Sequence, residues 1–203
     1  METRTIYLCR HGKIHREDDQ RRYLGQLDPP LSGEGERQAG ALRDLLGQAG
    51  LTAIYCSDLA RSRRTAEIVA ARSEVPVIAL RALREISLGE WEGVAFADIA
   101  RRYPDEFRAR GADIAYYRVP GGESFADCAL RVVAAFREIL ASSAGDIAII
   151  GHAGANRVLL CHILGMPVAN LFRLGQDYAC LNIIQCGGTG YRLKLVNHRD
   201  TRS

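Results

Sequence analysis

Lysine is almost absent from this sequence. Only Lys13 and Lys194 are lysine among the 27 basic residues, so arginine carries nearly all of the positive charge. The planar guanidinium of arginine suits phosphate and carboxylate groups. The formal net charge is only +3, and the basic runs are short and scattered rather than interleaved with stacking aromatic residues. We therefore expect no nucleic-acid partner.

Paired cysteines and long apolar runs are missing as well. None of the six cysteines forms a C-x-x-C pair, which excludes the usual zinc and redox spacings. No segment approaches about 18 consecutive apolar residues, and no apolar stretch precedes a cleavage site at the N-terminus. The sequence therefore predicts a reduced, soluble, cytoplasmic protein without a membrane partner.

The sequence does contain alternating strand and helix patterns. Apolar runs at residues 5–9, 53–57, 75–80 and 146–151 lack polar alternation, which is typical of buried parallel strands. Residues 180–198 indicate a closing hairpin around Gly187 and Gly188. Helical patterns between the strands predict a three-layer α/β/α sandwich with a mainly parallel sheet.

Four helices are predicted between these strands. The expected caps are Ser32 for the first helix, Ser57 or Asp58 for the second, and Ser124 with Asp127 for the third. The second helix should run from Leu59 to about Ala71, and the fourth covers about 155–164.

The pattern is weaker in the segment 86–122. Residues 96–107 indicate a short helix that ends near Pro104, and residues 108–122 are loop-like. Since α/β proteins bind ligands at strand ends, we interpret this segment as an insertion folded over the active site. With no internal repeat or low-complexity linker, residues 1–203 are expected to form a single domain.

Polar residues follow each predicted parallel strand. They are Arg10, His11 and Gly12 after the first strand, Arg61 soon after the second, Glu85 after the third and His152 after the fourth. Because the C-terminal ends of parallel strands lie at one edge of a sheet, these residues can converge. Each has a plainer explanation: an exposed turn, a solvated helix residue, or, for Glu85, pairing with Arg84. Those explanations do not account for such a residue at every strand end.

The set suits phosphoryl transfer. Arg10 and Arg61 can supply bidentate donors to the phosphoryl oxygens, and His152 can donate to a third oxygen. Neutral His11 is a nucleophile at physiological pH, and Gly12 permits close approach of the backbone. We expect no metal, because arginines beside the histidines would repel a cation.

The leaving alkoxide needs a proton, and Glu85 can donate it. Glu90 and Glu92 lie close by in the sequence and compete for this role. We favour Glu85, because it follows the third strand most directly.

Five sequence blocks occur in a family-specific order: LCRHG, SDLARSRRTAE, LREISLGEWEG, PGGES and IIGHAG. Over residues 5 to about 165 they resemble the histidine phosphatase superfamily, which has the phosphoglycerate mutase-like fold. The resemblance implies that His11 is the phosphorylated nucleophile and that Glu85 is the acid and base. It also implies that Arg10, Arg61 and His152 form the phosphate pocket.

Residues 21–35 resemble a loop of the alpha-ribazole phosphatase branch, which implies that Gln26 lies near the substrate and that the protein acts in cobalamin biosynthesis. One departure concerns the residues after R-H-G, where the family commonly has Glu-Thr and then an asparagine. This chain has Lys13, Ile14 and His15 instead. A usual phosphate contact is then missing, or is supplied by Lys13 or by Arg64, which stands where glutamine is common.

The leading interpretation is a phosphomonoesterase that needs no cofactor. It would hydrolyse a small phosphate ester, with alpha-ribazole 5′-phosphate as one candidate, through a phosphohistidine. A phosphoglycerate mutase-type transfer uses the same intermediate, but the compact chain disfavours it. A phosphoprotein-directed signalling protein is a third interpretation, and the full catalytic set argues against it. A homodimer is compatible with the sequence.

Overall fold

A mixed sheet of six strands forms the centre of the molecule. The computed structural model describes residues 3–188 and 190–199. The strands are β1 (Arg4–Arg10), β2 (Leu51–Cys56), β3 (Val77–Ala79), β4 (Asp146–Gly151), β5 (Leu181–Gly187) and β6 (Gly190–His198). Their spatial order is β3-β2-β4-β1-β5-β6. The first four strands pair in parallel, and β5 and β6 add the predicted antiparallel hairpin.

Helices cover both faces of this sheet. They are α1 (Gly33–Leu46), α2 (Ala60–Ala70), α3 (Phe96–Arg102), α4 (Pro104–Ala112), α5 (Phe125–Ser142) and α6 (Ala153–Leu164), and 3-10 turns lie at Arg81–Leu83, Gly89–Trp91 and Val168–Arg173. α1 and α2 pack together on one face, and α5 and α6 pack together on the other. The predicted three-layer α/β/α sandwich is confirmed. Within the described residues, no helix has the length and apolar character that crossing a membrane requires.

The central strands of the sheet are β1 and β4, and β4 is the most deeply buried strand. Ile147 and Ile149 enter the core under α5 and α6, whereas Ala148 and Ile150 enter the core under α1 and α2. All four are at most 1% exposed. Burying each isoleucine stabilises the fold by about 1.5–3 kcal/mol relative to exposure. Residues at the ends of these strands are therefore held on a rigid support.

Two of the predicted caps are present. The Ser32 hydroxyl accepts a hydrogen bond from the Gly35 amide at the start of α1. Ser124 and Asp127 form a reciprocal capping box at the start of α5, which satisfies two amides that have no partner within the helix.

The predicted cap of α2 is wrong. Its N-cap residue is Leu59, and neither Ser57 nor Asp58 caps the helix. Asp58 instead forms an ion pair with Arg84, at 2.6 Å. The Ala60 amide donates to Asp28 at 2.9 Å, so a carboxylate distant in sequence stabilises the start of α2.

Two further elements differ from the sequence prediction. The run at 75–80 yields only the three-residue β3, none of it buried, because β3 is the edge strand and Pro76 has no N–H to extend the ladder. In the segment 86–122, the predicted short helix is present as α3, which ends at Arg102 close to Pro104, but Pro104 also begins a second helix. Proline is tolerated at the first helical position, because the N–H that it lacks would have no partner within the helix there. The resulting helix, α4, runs to Ala112, where the sequence predicts a loop.

Candidate active site

The ends of β1 and β4 bring two histidines together. His11 follows β1, and His152 is the N-cap residue of α6 directly after β4. The His11 amide donates to the Gly151 carbonyl at 3.1 Å, which ties the two strand ends together. The ring centroids of His11 and His152 are 5.0 Å apart. Both residues are nearly fully buried, with 4% and 0% exposure.

His11 presents one nitrogen for attack. Its Nδ1 lies 2.7 Å from the Gly12 carbonyl oxygen, which can only accept a hydrogen bond. Nδ1 therefore carries the proton, and Nε2 keeps its lone pair. Burial, and then the charges of Arg10 and Arg61, hold the pKa of His11 well below its ordinary value. A neutral imidazole with a free Nε2 is what a nucleophile needs.

His152 is held in the same tautomer as His11, but here the Nδ1 proton is the one left for a ligand. Its Nε2 lies 2.6 Å from the Ser57 hydroxyl, whereas its Nδ1 is buried and has no hydrogen-bond partner among the described residues. The Leu59 amide donates to the same hydroxyl oxygen at 3.4 Å, so the hydroxyl proton is free to point at Nε2. Burial, followed by Arg61, lowers the pKa of His152. We therefore assign the proton of neutral His152 to Nδ1, where it can be donated to an anion.

Ser57→Ala is expected to lower kcat/KM about tenfold, the effect of losing one hydrogen bond of about 1–1.5 kcal/mol. The serine does not donate to the ligand itself, but orients His152 and selects its tautomer. Steady-state kinetics of Ser57→Ala and Ser57→Thr measure this effect. Ser57→Thr keeps the hydroxyl and should restore most of the rate. Equal losses in both variants would contradict the orienting role.

Arg10 has an unused donor at the same place. Its Nη1 donates to the Gln176 carbonyl at 2.7 Å, and its guanidinium carbon lies 3.8 Å from the centre of the Tyr178 ring. Its Nε is buried without a hydrogen-bond partner among the described residues. A buried donor without a partner is costly, so an acceptor on a bound ligand would relieve that cost.

Arg61 is buried beside the histidines, but more of its guanidinium donors than those of Arg10 already form hydrogen bonds within the protein. Its Nη1 and Nη2 donate to the carbonyl oxygens of Leu27 and Gly25. Asp28 lies 3.5 Å from Nη1. Arg61 therefore fastens the loop at 25–28 to the site, in addition to placing a positive charge beside His11.

Of the three glutamates considered for the acid, Glu85 is the one that lines the cavity. Its two oxygens accept the Gly154 and Ala155 amides at 2.9 Å each, so it closes the N-terminus of α6. A Cβ on Gly154 would lie 2.5 Å from a Glu85 oxygen, which explains the glycine. Of its two rivals, Glu90 is exposed, and Glu92 accepts the amides of the loop at 26–27.

Gly12 and Gln26 lie behind the site rather than in it. A Cβ on Gly12 would lie 2.3 Å from the Gly35 carbonyl oxygen, so the glycine permits close packing against α1. The Gln26 side chain donates to the Glu85 carbonyl oxygen at 3.1 Å. Gln26 therefore supports the backbone that carries the carboxylate.

The structure does not bring Lys13 or Arg64 to the cavity. Lys13 pairs with Glu34 at 2.6 Å, and Arg64 pairs with Glu36 at 2.9 Å. All four side chains are close to half exposed. Each cation has a nearer partner on α1, which the sequence spacing did not reveal.

The cavity itself has a volume of about 560 Å³. Several residues that sequence reasoning missed line it, among them Tyr23, Arg110, Arg157 and Tyr178. Tyr178 lies under Arg10, and its ring centre is 5.7 Å from that of His11. Tyr23 lies in the loop at 21–35 and Arg110 in the segment 86–122, two stretches that the sequence places near the substrate, whereas no motif marks Arg157 or Tyr178.

Residues 6–199 match the family model of the histidine phosphatase superfamily (branch 1). The chain belongs to this superfamily. It is 30% identical to the adenosylcobalamin/alpha-ribazole phosphatase of Salmonella typhimurium, over 96% of each chain. It is also 30% identical to phosphoserine phosphatase 1 of Hydrogenobacter thermophilus, over 80% of this chain and 78% of that one.

A solved structure agrees with this assignment. The chain superposes on a putative alpha-ribazole-5′-P phosphatase from Escherichia coli with a TM-score of 0.88 and 25% identity, over 97% of each chain. The histidine phosphatase fold expected from the sequence blocks is confirmed. This member of the superfamily is an enzyme that hydrolyses phosphate esters.

Proposed function

We propose that the enzyme hydrolyses small phosphate monoesters through a phosphohistidine on His11. The observation that carries the proposal is the pair of buried neutral histidines beside two arginines. His11 offers a lone pair, and His152 and Arg10 each keep one buried donor that has no hydrogen-bond partner among residues 3–188 and 190–199. A nucleophile facing unpaired donors is suited to a phosphoryl group and its developing charge.

In the first step, Nε2 of His11 attacks phosphorus and the bond from phosphorus to the ester oxygen breaks. Glu85, in its protonated form, transfers its proton to the departing alkoxide. Arg10, Arg61 and the Nδ1 proton of His152 stabilise the charge on the phosphoryl oxygens. The products are a free alcohol and an N-phosphorylated His11.

In the second step, water attacks phosphorus and the bond to Nε2 breaks. Glu85, now a carboxylate, accepts the proton of this water, so inorganic phosphate is released and both residues return to their starting state. The Gly154 and Ala155 amides keep the carboxylate oriented through both steps.

The reaction type does not identify the alcohol that is esterified in the substrate. Alpha-ribazole 5′-phosphate is a first candidate, supported by the loop at 21–35 and by the name of the Salmonella relative. The Hydrogenobacter relative has the same percentage identity over a shorter part of the chain, and it is named for phosphoserine. The names of relatives therefore support two different alcohols. The residues that line the cavity are the remaining evidence for which alcohol it binds.

A panel of esters tests the reaction type. The purified chain should release inorganic phosphate from p-nitrophenyl phosphate and from alkyl phosphates. Vanadate, which mimics five-coordinate phosphorus, should inhibit this release. Conversion of a phosphoglycerate into its isomer without release would indicate a mutase instead. Binding of phosphorylated proteins with no turnover of any ester would contradict the proposal.

Arg10→Ala is expected to lower kcat/KM about 100-fold, or about 3 kcal/mol of transition-state stabilisation, by analogy with other lost electrostatic donors. Arg10 tests the pocket more cleanly than Arg61, because Arg61 also fastens a loop. Vanadate should bind the variant correspondingly more weakly. Arg192→Ala, which removes an exposed arginine of β6, is the matched control. Unchanged vanadate inhibition in Arg10→Ala would contradict the pocket.

A further inference from the structure

The cavity carries more positive charge than one phosphoryl group needs. Its lining includes seven arginines and only two carboxylates, Glu85 and Asp177. The arginines are Arg10, Arg16, Arg21, Arg22, Arg61, Arg110 and Arg157. The whole protein has a formal charge of only +3, so positive charge is concentrated at this one place.

Arg21, Arg110 and Arg157 have no carboxylate of the described residues within ion-pair distance. They lie over aromatic rings instead. The guanidinium carbon of Arg21 is 4.5 Å from the centre of the Phe96 ring, and that of Arg157 is 5.4 Å from the centre of Phe172.

Arg110 is enclosed by three aromatic side chains. Its guanidinium carbon lies 5.5 Å from the ring centre of Tyr23, 5.7 Å from that of Phe125 and 6.0 Å from that of Trp91. Arg110 is partly buried, and because its cation loses part of its hydration there, the pKa of the guanidinium is lowered. Aromatic faces offset part of this loss, and an anion would offset more.

Arg110 lies near Glu85, the proposed proton donor to the leaving group, with the Phe125 ring beside both. Phe125 adjoins the acid, since a Cβ on Gly154 would lie 3.0 Å from the Phe125 ring and 2.5 Å from a Glu85 oxygen. Arg110 is next to the same ring. An alcohol that receives its proton from Glu85 would therefore extend past Phe125 towards Arg110.

On the basis of the proposed function, we infer that the substrate is a phosphate monoester whose alcohol carries a second acid group, and that Arg110 binds that group. The second group is a carboxylate or a phosphate, because the guanidinium fork suits both. Alpha-ribazole 5′-phosphate has no second acid group, so this inference predicts that it is a poor substrate.

Matched esters test the inference on the unmodified enzyme. Glycerol 1-phosphate and 3-phosphoglycerate differ by a carboxylate, and propane-1,3-diol monophosphate and bisphosphate differ by a second phosphate. We expect kcat/KM to be at least about tenfold higher for one or both acid-bearing esters, the effect of one charge-assisted hydrogen bond. A preference confined to one pair identifies which acid group is recognised.

A variant pair assigns the recognition to Arg110. Arg110→Gln should lower the ratio of kcat/KM for the preferred acid-bearing ester to that for its neutral partner about tenfold. Arg108→Gln removes an exposed arginine of the same helix that pairs with Asp105 and does not line the cavity. It should leave the ratio unchanged. An equal drop in both variants would contradict a specific role for Arg110.

The outcomes separate this inference from the proposed function. If the unmodified enzyme hydrolyses p-nitrophenyl phosphate but shows no preference within either pair, the second acid group is wrong and the phosphatase mechanism stands. Higher activity on alpha-ribazole 5′-phosphate than on both acid-bearing esters would have the same meaning. If no ester releases phosphate, the proposed function itself is overturned.

Discussion

His11→Ala is expected to abolish the phosphoenzyme and to lower kcat/KM by at least ~10⁴-fold. Alanine leaves no group that can form a bond to phosphorus, while the donors of Arg10 and His152 remain. Water would then have to attack the ester directly, without a covalent intermediate. The residual rate should come from binding and charge stabilisation alone.

Trapping the intermediate measures this directly. A brief reaction with a ³²P-labelled ester, followed by alkaline denaturation, should leave label on the unmodified enzyme. The label should be acid-labile, as expected of a phosphoramidate. His198→Ala, which changes an exposed histidine on β6, is the control and should retain it. Label on His11→Ala would show that another residue is the nucleophile.

Glu85→Gln should slow phosphoenzyme formation from an alkyl phosphate about 10³-fold, within the usual range for a general acid. Its effect on p-nitrophenyl phosphate should be less than about tenfold, because that leaving group scarcely needs a proton. Rapid-quench measurement of the first step isolates this contrast. Water activation in the second step would otherwise reduce both overall rates.

Two controls make the Glu85 result interpretable. Glu90→Gln changes an exposed carboxylate close by in the sequence and should leave both esters unaffected. A glutamine at 85 also weakens the hydrogen bonds from Gly154 and Ala155, so thermal unfolding must show that the variant is folded. Equal slowing with both esters, or a selective loss in Glu90→Gln, would assign the acid elsewhere.

The strand ends explain why so much of the site could be anticipated. Arg10 and His11 follow one buried apolar run and His152 follows another, and buried parallel strands place such residues at a common edge. Periodicity and caps are local properties, so α1, α5 and β4 could be anticipated with accurate starts.

Pairing between distant segments was not predictable. Lys13 and Arg64 were candidates for a missing phosphate contact, yet each pairs with a glutamate of α1. Ser57 was a candidate helix cap, yet its hydroxyl faces His152, which is distant in sequence. In each case the partner belongs to another segment of the chain and comes within hydrogen-bond distance only after folding, so the local sequence does not identify it.

The sequence by itself determined the order of elements, the parallel central strands and the strand-end set that led to the phosphatase assignment. These depend on hydrophobic period and on neighbours along the chain. Only the tertiary structure decided the hydrogen-bond partners of the two histidine rings, the placement of Glu85 at the cavity while Glu92 binds the loop at 26–27, and the aromatic enclosure of Arg110. Each depends on distances of a few ångströms between residues far apart in the chain, and packing alone sets such distances.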